Sequence, residues 1–446
     1  MLQNPETIAA IATAPGTGGI GVVRISGRNL AAMAVSLLGI APKPRYATYA
    51  AFLDADGSII DRGIAIFFPE PNSYTGEDVL ELQAHGGTAV LQMLLSRCLL
   101  NGARLAQPGE FTQRAFLNNK LDLVQAEGVA DLISAANEQA VRCANRSLQG
   151  DFSNAINSLV AKLVELRMLV EATLDFPEEE VDLADVKRSE DMLSLLCSDL
   201  DQVIKLSKQG SILREGAHIA LVGQPNVGKS SLLNKLSGED VALVSEIPGT
   251  TRDTIRQTIS VSGVPLHIID TAGLRESQDV VEKMGMERTT LAMQKADAIL
   301  VLQDAQQEDQ GGLKKILALI PEGTPKIYVL NKIDLLKQQA RIENQDGNTY
   351  IYLSAKVGDG IDLLRDKILQ LMDWHGDAGI FMARERHLQA LFQAKKHLSD
   401  ASAASSRIEL FAEELRLAQE ALAKITGEFS PDDLLGEIFS RFCIGK

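Results

Sequence analysis

Residues 223 to 230 read Gly223-Gln-Pro-Asn-Val-Gly228-Lys229-Ser230, preceded by the apolar run Ile219-Ala-Leu-Val222 and followed by Leu232, Leu233 and Leu236. This is strand, glycine loop and helix in order, the context in which GxxxxGK[ST] holds phosphate. Glycines let backbone N–H groups close around the anion, and the helix N-terminus adds positive potential. Lys229 then reaches the β and γ phosphates as a catalytic cation, and Ser230 ligates Mg²⁺. Asn226, Val227 and Ser231 complete the expected contacts of this loop with the nucleotide.

Three further motifs follow in the order such a domain requires. Asp270-Thr271-Ala272-Gly273 closes a strand, bringing a carboxylate toward the metal and a glycine N–H toward the γ-phosphate. Asn331-Lys332-Ile-Asp334 closes another, with a carboxylate spaced to grip the guanine edge, and Ser354-Ala355-Lys356 follows a third. Ligands of doubly wound sheets bind at strand C-termini, where all three motifs fall. The set resembles the translation-factor-related small GTPases, so GTP is the expected nucleotide. Many of these enzymes place a water-orienting glutamine directly after the DxxG glycine. Here that position is Leu274, which cannot orient water, so another group must do so. The charged transition state also needs a cation, either an arginine or a metal ion.

The elements that must position these residues form a multidomain α/β plus all-α chain. Residues 1–118 mix strand-like runs (Thr7 to Ala14, Ile20 to Ser26, Gly63 to Phe68, Val79 to Gln83) with Pro and Gly turns, predicting an N-terminal α/β domain. Residues 119–215 turn helical, as in the 3,4 spacing of Ile156, Leu159, Val160 and Leu163, with a break at Pro177. Residues 216–373 alternate strands and helices, the pattern of a Ras-like doubly wound G domain. From 374 to 446 helical spacing returns at Ile408, Phe411, Leu415, Ala418, Leu422 and Ile425. One-sided helices on both flanks need a common partner face. The expectation is a discontinuous helical domain with the G domain inserted in it.

The 446 residues carry a net charge of −15, with 45% hydrophobic and 23% charged residues, a balance that excludes a disordered or fibrous chain. Such an acidic surface repels polyanions, so RNA would have to meet a local basic site or a partner protein. Cys98, Cys143, Cys197 and Cys443 lie far apart, without a CxxC pair. No apolar run reaches the ~18 residues of a membrane span, and Met1 to Glu6 carry no basic stretch leading into an apolar core. A cytoplasmic location is expected.

Gly249-Thr-Thr-Arg-Asp253, Asp270-Thr-Ala-Gly-Leu-Arg275 and the terminal Phe442-Cys-Ile-Gly-Lys446 together resemble the MnmE (TrmE) family of tRNA-modification GTPases, over essentially the whole chain. The resemblance implies a potassium ion in place of an arginine finger, held by Asn226, Ser245, Ile247 and Thr250. It also implies Mg²⁺ on Thr251 beside Ser230, nucleotide contacts from Ser245, Thr250 and Thr251, and Glu282 orienting the hydrolytic water. By its residue type alone, Glu282 reads as a solvated helix-face carboxylate.

Gly16-Thr-Gly18-Gly-Ile-Gly21 fits GxGxxG, but Val22-Val-Arg-Ile25 behind it is β-branched where a dinucleotide fingerprint needs a helix. It reads as a glycine-rich turn between strands. The family resemblance instead implies a 5-formyl-tetrahydrofolate or related one-carbon folate on Arg24, Glu81, Lys120 and Lys446, in a domain that forms a homodimer. His85 reads as a satisfied loop histidine. Ser430-Pro431-Asp432-Asp433 has the signature of a helix start, so a last helix delivers Cys443 to a fixed place. That thiol is either a participant in chemistry or a small buried apolar residue. The implied function is GTP-controlled addition of an aminomethyl or carboxymethylaminomethyl group at C5 of wobble uridine in certain tRNAs, with the flavoprotein MnmG as partner. The alternative is a GTP-regulated ribosome-assembly factor acting as a binding switch.

Overall fold

The computed structural model describes residues 6–135, 137–175, 183–224, 226–237, 257–270, 293, 296–306, 320–321, 323–372, 374, 380–405, 407–428, 432–440, 442 and 445. The chain divides into two compact units. One comprises Met1–Ala130, Ser147–Leu193 and Lys396–Lys446, and the other Asp131–Arg146 and Ser194–Lys395.

The first unit is built on a six-stranded sheet of β1 (Ile8–Ile11), β2 (Gly18–Gly27), β3 (Thr48–Leu53), β4 (Ile59–Phe68), β5 (Asp78–Gly86) and β6 (Arg104–Leu105), in the order β3-β4-β5-β2-β1-β6. Helices α1 (Ala31–Leu38) and α2 (Thr88–Leu100) supply Ala34, Leu37, Leu91, Leu94 and Leu95 to a core shared with Val23, Ile25, Leu80 and Leu82. Strand alternation makes this possible, since Leu80, Leu82 and Ala84 of β5 share one buried face while Glu81, Gln83 and His85 take the other. The glycine run is used for close approach: a Cβ on Gly21 would lie 2.5 Å from Leu91 Cδ1. Its second half belongs to β2 itself, with an irregularity in register between Gly18 and Gly21. Strand β5 also extends past the expected run to Gly86, so His85 lies on a strand, not in a loop. Pairing of Gly18 with Gly86 carries the ladder that far.

The helix Asp151–Asp175 packs with the helix Ile408–Thr426, and Arg167 of the first donates to Gln419 Oε1 of the second at 2.6 Å. Phe152, Ile156, Leu159, Leu163 and Leu166 are buried along the first of these helices, as are Phe411, Leu415, Ala418, Leu422 and Ile425 along its partner. The two stripes read from the sequence thus belong to helices that meet. The helix Asp432–Ser440 buries Leu435, Ile438 and Phe439 against Leu123 and Ala126. Ser430 and Pro431, its expected start, lie outside the described residues.

The second unit holds a seven-stranded sheet of β7 (Ala217–Gly223), β8 (Gln257–Val261), β9 (Val264–Asp270), β10 (Ala298–Asp304), β11 (Lys326–Asn331), β12 (Arg341–Gln345) and β13 (Asn348–Tyr352). Its order is β12-β13-β11-β10-β7-β9-β8, parallel except at its two edges. Stripped of the extra edge strand β12, this is the strand order of a Ras-like G domain. Central strands such as Ala217–Gly223 are apolar on both faces, as a sheet covered on both sides requires. Residues 131–146 join this unit too. Ala140, Cys143 and Ala144 share a core with Ile219, Leu266 and Leu300, and Asn137 Nδ2 donates to the Gly263 carbonyl at 2.9 Å. The sequence periodicity marks that segment only as helical. No described helix is long and apolar enough to cross a membrane.

Candidate nucleotide site and N-terminal polar site

Parallel register brings the motif residues to one edge of the second sheet. Val222 and Gly223 lie beside Val301 and Leu302, Asp304 beside Asn331, and Leu221 beside Asp270. Strand β7 ends at Gly223, and the helix Lys229–Ser237 starts at Lys229 with Ser230 and Ser231 in its first turn. Between them Asn226 and Gly228 adopt positive φ, 63° and 97°. Alternation of left- and right-handed residues turns successive N–H groups inward, forming an anion-binding nest. Lys229 Nζ folds back over this loop, donating to the carbonyls of Gly223 at 2.6 Å and Gln224 at 3.2 Å.

Asn331 is the joint of the site. Its Nδ2 donates to the Val227 carbonyl at 2.8 Å, and its Oδ1 accepts from the N–H groups of Lys332 at 2.8 Å and Ala355 at 2.9 Å. One buried side chain thereby ties the phosphate loop to the two segments expected to hold the base. Ser354 Oγ donates to Asp334 Oδ1 at 2.6 Å, which orients that carboxylate. Lys332 has a left-handed backbone, φ 71°, and starts the short helix Ile333–Leu336. Lys356 is exposed beyond Ala355.

Sequence reading missed Asp304. It ends the apolar strand β10, is buried, and accepts a hydrogen bond from Lys332 Nζ at 2.7 Å. Burial pushes its carboxyl up, but the Lys332 ammonium and the Gln306 N–H outweigh this and hold it below the usual carboxylate range. The available signal was a lone carboxylate closing a buried strand on the edge where the motifs lie.

Asp270 closes β9 as expected. Ser245, Ile247, Thr250, Thr251, Thr271, Ala272, Gly273 and Glu282 lie outside the described residues, as do Cys443 and Lys446.

In the first unit, Arg24 of β2 and Glu81 of β5 face each other in register. Arg24 Nε donates to Glu81 Oε1 at 2.9 Å, and Nη1 approaches the Gly445 carbonyl at 3.4 Å. The guanidinium also lies 5.6 Å from the Tyr74 ring centre and 5.8 Å from that of Phe111. Neither aromatic was singled out from the sequence, because nothing in the linear order relates them to Arg24. The C-terminal peptide is seated closely here: a Cβ on Gly445, φ 96°, would fall 2.4 Å from the Ile11 carbonyl oxygen. Lys120 is exposed, near Gly76 in the turn before β5, and makes no bond to Arg24 or Glu81. His85 Nδ1 meets Asp61 at 2.9 Å while its ring is 73% exposed.

Strand order, the glycine loop and the loops carrying Asn331 and Ser354 define a P-loop GTPase of the Ras-like class, carried in a chain with a separate α/β sheet and long helices. Residues 123–443 match the family model of the MnmE helical domain, and residues 7–120 that of the GTP-binding protein TrmE N-terminus. The chain belongs to the MnmE family of tRNA modification GTPases. It is 57% identical over 456 residues to the tRNA modification GTPase MnmE of Nitrosospira multiformis, covering 100% of both chains. It is 56% identical over 444 residues to that of Chromobacterium violaceum, covering 99% of both. Among solved structures, the G domain of the T. maritima FeoB iron transporter is similar at 25% identity. That match covers 35% of this chain and 98% of the other, with a TM-score of 0.26. The family matches include the N-terminal and helical regions, so the likeness is not confined to the G domain.

Proposed function

We propose that this chain hydrolyses GTP in a potassium-dependent manner and uses that cycle to control modification of tRNA at C5 of the wobble uridine. The observation that carries the nucleotide half is the Asn331 bridge: one amide joins Val227 of the phosphate loop to Ala355 and Lys332, so phosphate and base are gripped by one rigid frame. Asp334, held by Ser354, presents acceptor oxygens suited to the N1–H and exocyclic amine of guanine.

The loop fits a phosphate with its metal. The nest around Asn226 and Gly228 offers N–H groups, the helix Lys229–Ser237 points its N-terminus at the same place, and Ser230 lies in its first turn. Lys229 would exchange its two carbonyl partners for phosphate oxygens. Ser230 and Thr251 would hold Mg²⁺, which when bound supplies positive charge at the phosphates. Potassium would take oxygens of Asn226, Ser245, Ile247 and Thr250, a set suited to a hard, weakly hydrated cation. Asn226 is exposed with its backbone left-handed, so its amide is available on the open side of the loop. By family resemblance Glu282 would orient the attacking water, in a chain that has Leu274 where many GTPases place a glutamine.

The N-terminal site would hold a one-carbon folate such as 5-formyl-tetrahydrofolate. A guanidinium and a carboxylate placed side by side match the donors and acceptors of a pterin and the carboxylates of its glutamate tail. Arg24 and Glu81 would bind the folate, with Lys120 and Lys446 adding positive charge. In this reading the chain works as a homodimer with the flavoprotein MnmG on tRNA, adding an aminomethyl or carboxymethylaminomethyl group. The domains are 1–118, 119–215 with 374–446, and an inserted 216–373.

The test is GTP turnover in KCl against NaCl at equal ionic strength, with Asn226→Ala beside the parent. Turnover that is high only in potassium and collapses in the variant supports the reading. Equal rates in both salts remove the potassium mechanism.

A further inference from the structure

Away from both sites, His397, Asp400 and Glu414 bring one nitrogen and two carboxylate ligands together, all within 4.8 Å of one another. His397 and Asp400 stand three residues apart on the helix Glu385–Ala403, so one turn places them on the same face. Glu414 comes from the next helix, Ile408–Thr426, and its Oε2 lies 2.7 Å from His397 Nδ1. The apolar residues Leu391, Ala394, Leu398 and Ala401 are fully buried, and Phe411, Leu415 and Ala418 are buried in the second helix, which fixes both backbones. His397 and Glu414 are each about a quarter exposed, so an ion can enter and keep a water.

Charge is what makes this cluster unlike an ordinary surface pair. Among the described residues, no lysine or arginine pairs with the side chain of Asp400 or Glu414. Elsewhere on the same helices Glu413 and Glu420 are both taken by Arg416. Two carboxylates and an imidazole therefore converge without a fixed cation.

We propose that His397, Asp400 and Glu414 form a Zn²⁺ site that clips these two helices together. Zn²⁺ takes His nitrogen and carboxylate oxygen at about 2.0–2.2 Å, which sets tetrahedral ligand atoms about 3.3 Å apart. The observed spread reaches this through small rotations of the Asp and Glu side chains. Zn²⁺ takes the Nδ1 lone pair of the neutral imidazole in its Nε2–H tautomer, and the contact between Nδ1 and Glu414 opens so that both groups become ligands. Mg²⁺ is a poor competitor, because it favours six oxygen ligands over an imidazole.

The full-length protein, stripped with a chelator and dialysed, is titrated with ZnCl2 in millimolar MgCl2 against a fluorescent zinc chelator. Bound metal is counted after gel filtration. The expected result is one zinc per chain, with affinity at least tenfold weaker in both Glu414→Gln and His397→Gln. All cysteines remain in these variants, so zinc held by thiols would survive the substitutions. Parental affinity in both variants, or no zinc bound to the parent, overturns the proposal. Should either variant fail to fold, Asp400→Asn at the exposed position serves instead: at least a threefold loss upholds the site and unchanged affinity removes it.

Discussion

Asn331 and Val227, 104 residues apart, are joined by a buried hydrogen bond of 2.8 Å from the amide of the first to the carbonyl of the second. Asn331→Ala would break this bond and leave the Ala355 N–H without its acceptor. Each buried polar group stranded in this way costs about 1–3 kcal/mol. Affinity for GDP and GTP should fall together, by at least about tenfold. Titration with a fluorescent guanine nucleotide checks this. A loss confined to GTP would mean that Asn331 senses the γ-phosphate instead of holding the frame.

Gly228 sits at φ 97°, and a Cβ there would lie 2.3 Å from Asn331 Nδ2. Gly228→Ala therefore meets backbone strain and a displaced bridge at once, with the strain alone costing about 1–3 kcal/mol. Nucleotide affinity should drop by more than about tenfold. Calorimetric titration with GDP would show it, and parental affinity would mean that the loop relaxes without disturbing Asn331.

Glu110 supplies an acid-sensitive element of the N-terminal unit. Burial pushes its carboxyl up, but hydrogen bonds from Arg104, the Gln107 N–H and Arg114 prevail and bring its pKa down to about 2. A depressed carboxylate stabilises the fold above its unfolded value near 4.5, and that contribution is lost as pH falls toward 2. At pH 7, Glu110→Gln should lower the Tm of the unit. The gap between parent and variant should narrow steadily below pH 4.5. A gap independent of pH would show that the carboxylate is not held in its charged form.

Cys98 is fully buried in α2, and burial pushes its thiol up to about 12. The thiolate is the reactive form, so native protein at pH 8 should leave Cys98 unmodified by an aromatic disulfide reagent. In urea it should react at the rate of a free thiol. Peptide mass spectrometry locates the modified cysteines, and rapid native labelling of Cys98 would show that α2 opens readily.

Much of the nucleotide site could be read in the chain because its parts are local. A glycine loop between an apolar strand and a helix has one backbone solution for binding phosphate, so Gly223 to Ser230 announce it without help. Periodicity likewise sufficed for β7, β9, β10 and β11 and for the stripe from Ile408 to Ile425, since the buried face of an element repeats with its own geometry. The short strands β3, β6, β8 and β12 went unread, because they are held by their neighbours more than by their own pattern.

The sequence by itself determined the order of the motifs, the alternation that makes a doubly wound sheet, and through whole-chain resemblance the family. Only the tertiary structure decided that Asp304 holds Lys332, that Asn331 spans from Val227 to Ala355, and that Tyr74, Phe111 and Gly445 gather around Arg24. It alone placed residues 131–146 on the core of the second sheet and Glu414 against His397. The reason is common to all of these. Hydrogen bonds and packed cores depend on distances between atoms, and residues from 17 to 421 positions apart acquire those distances only when strand register and helix packing have been set.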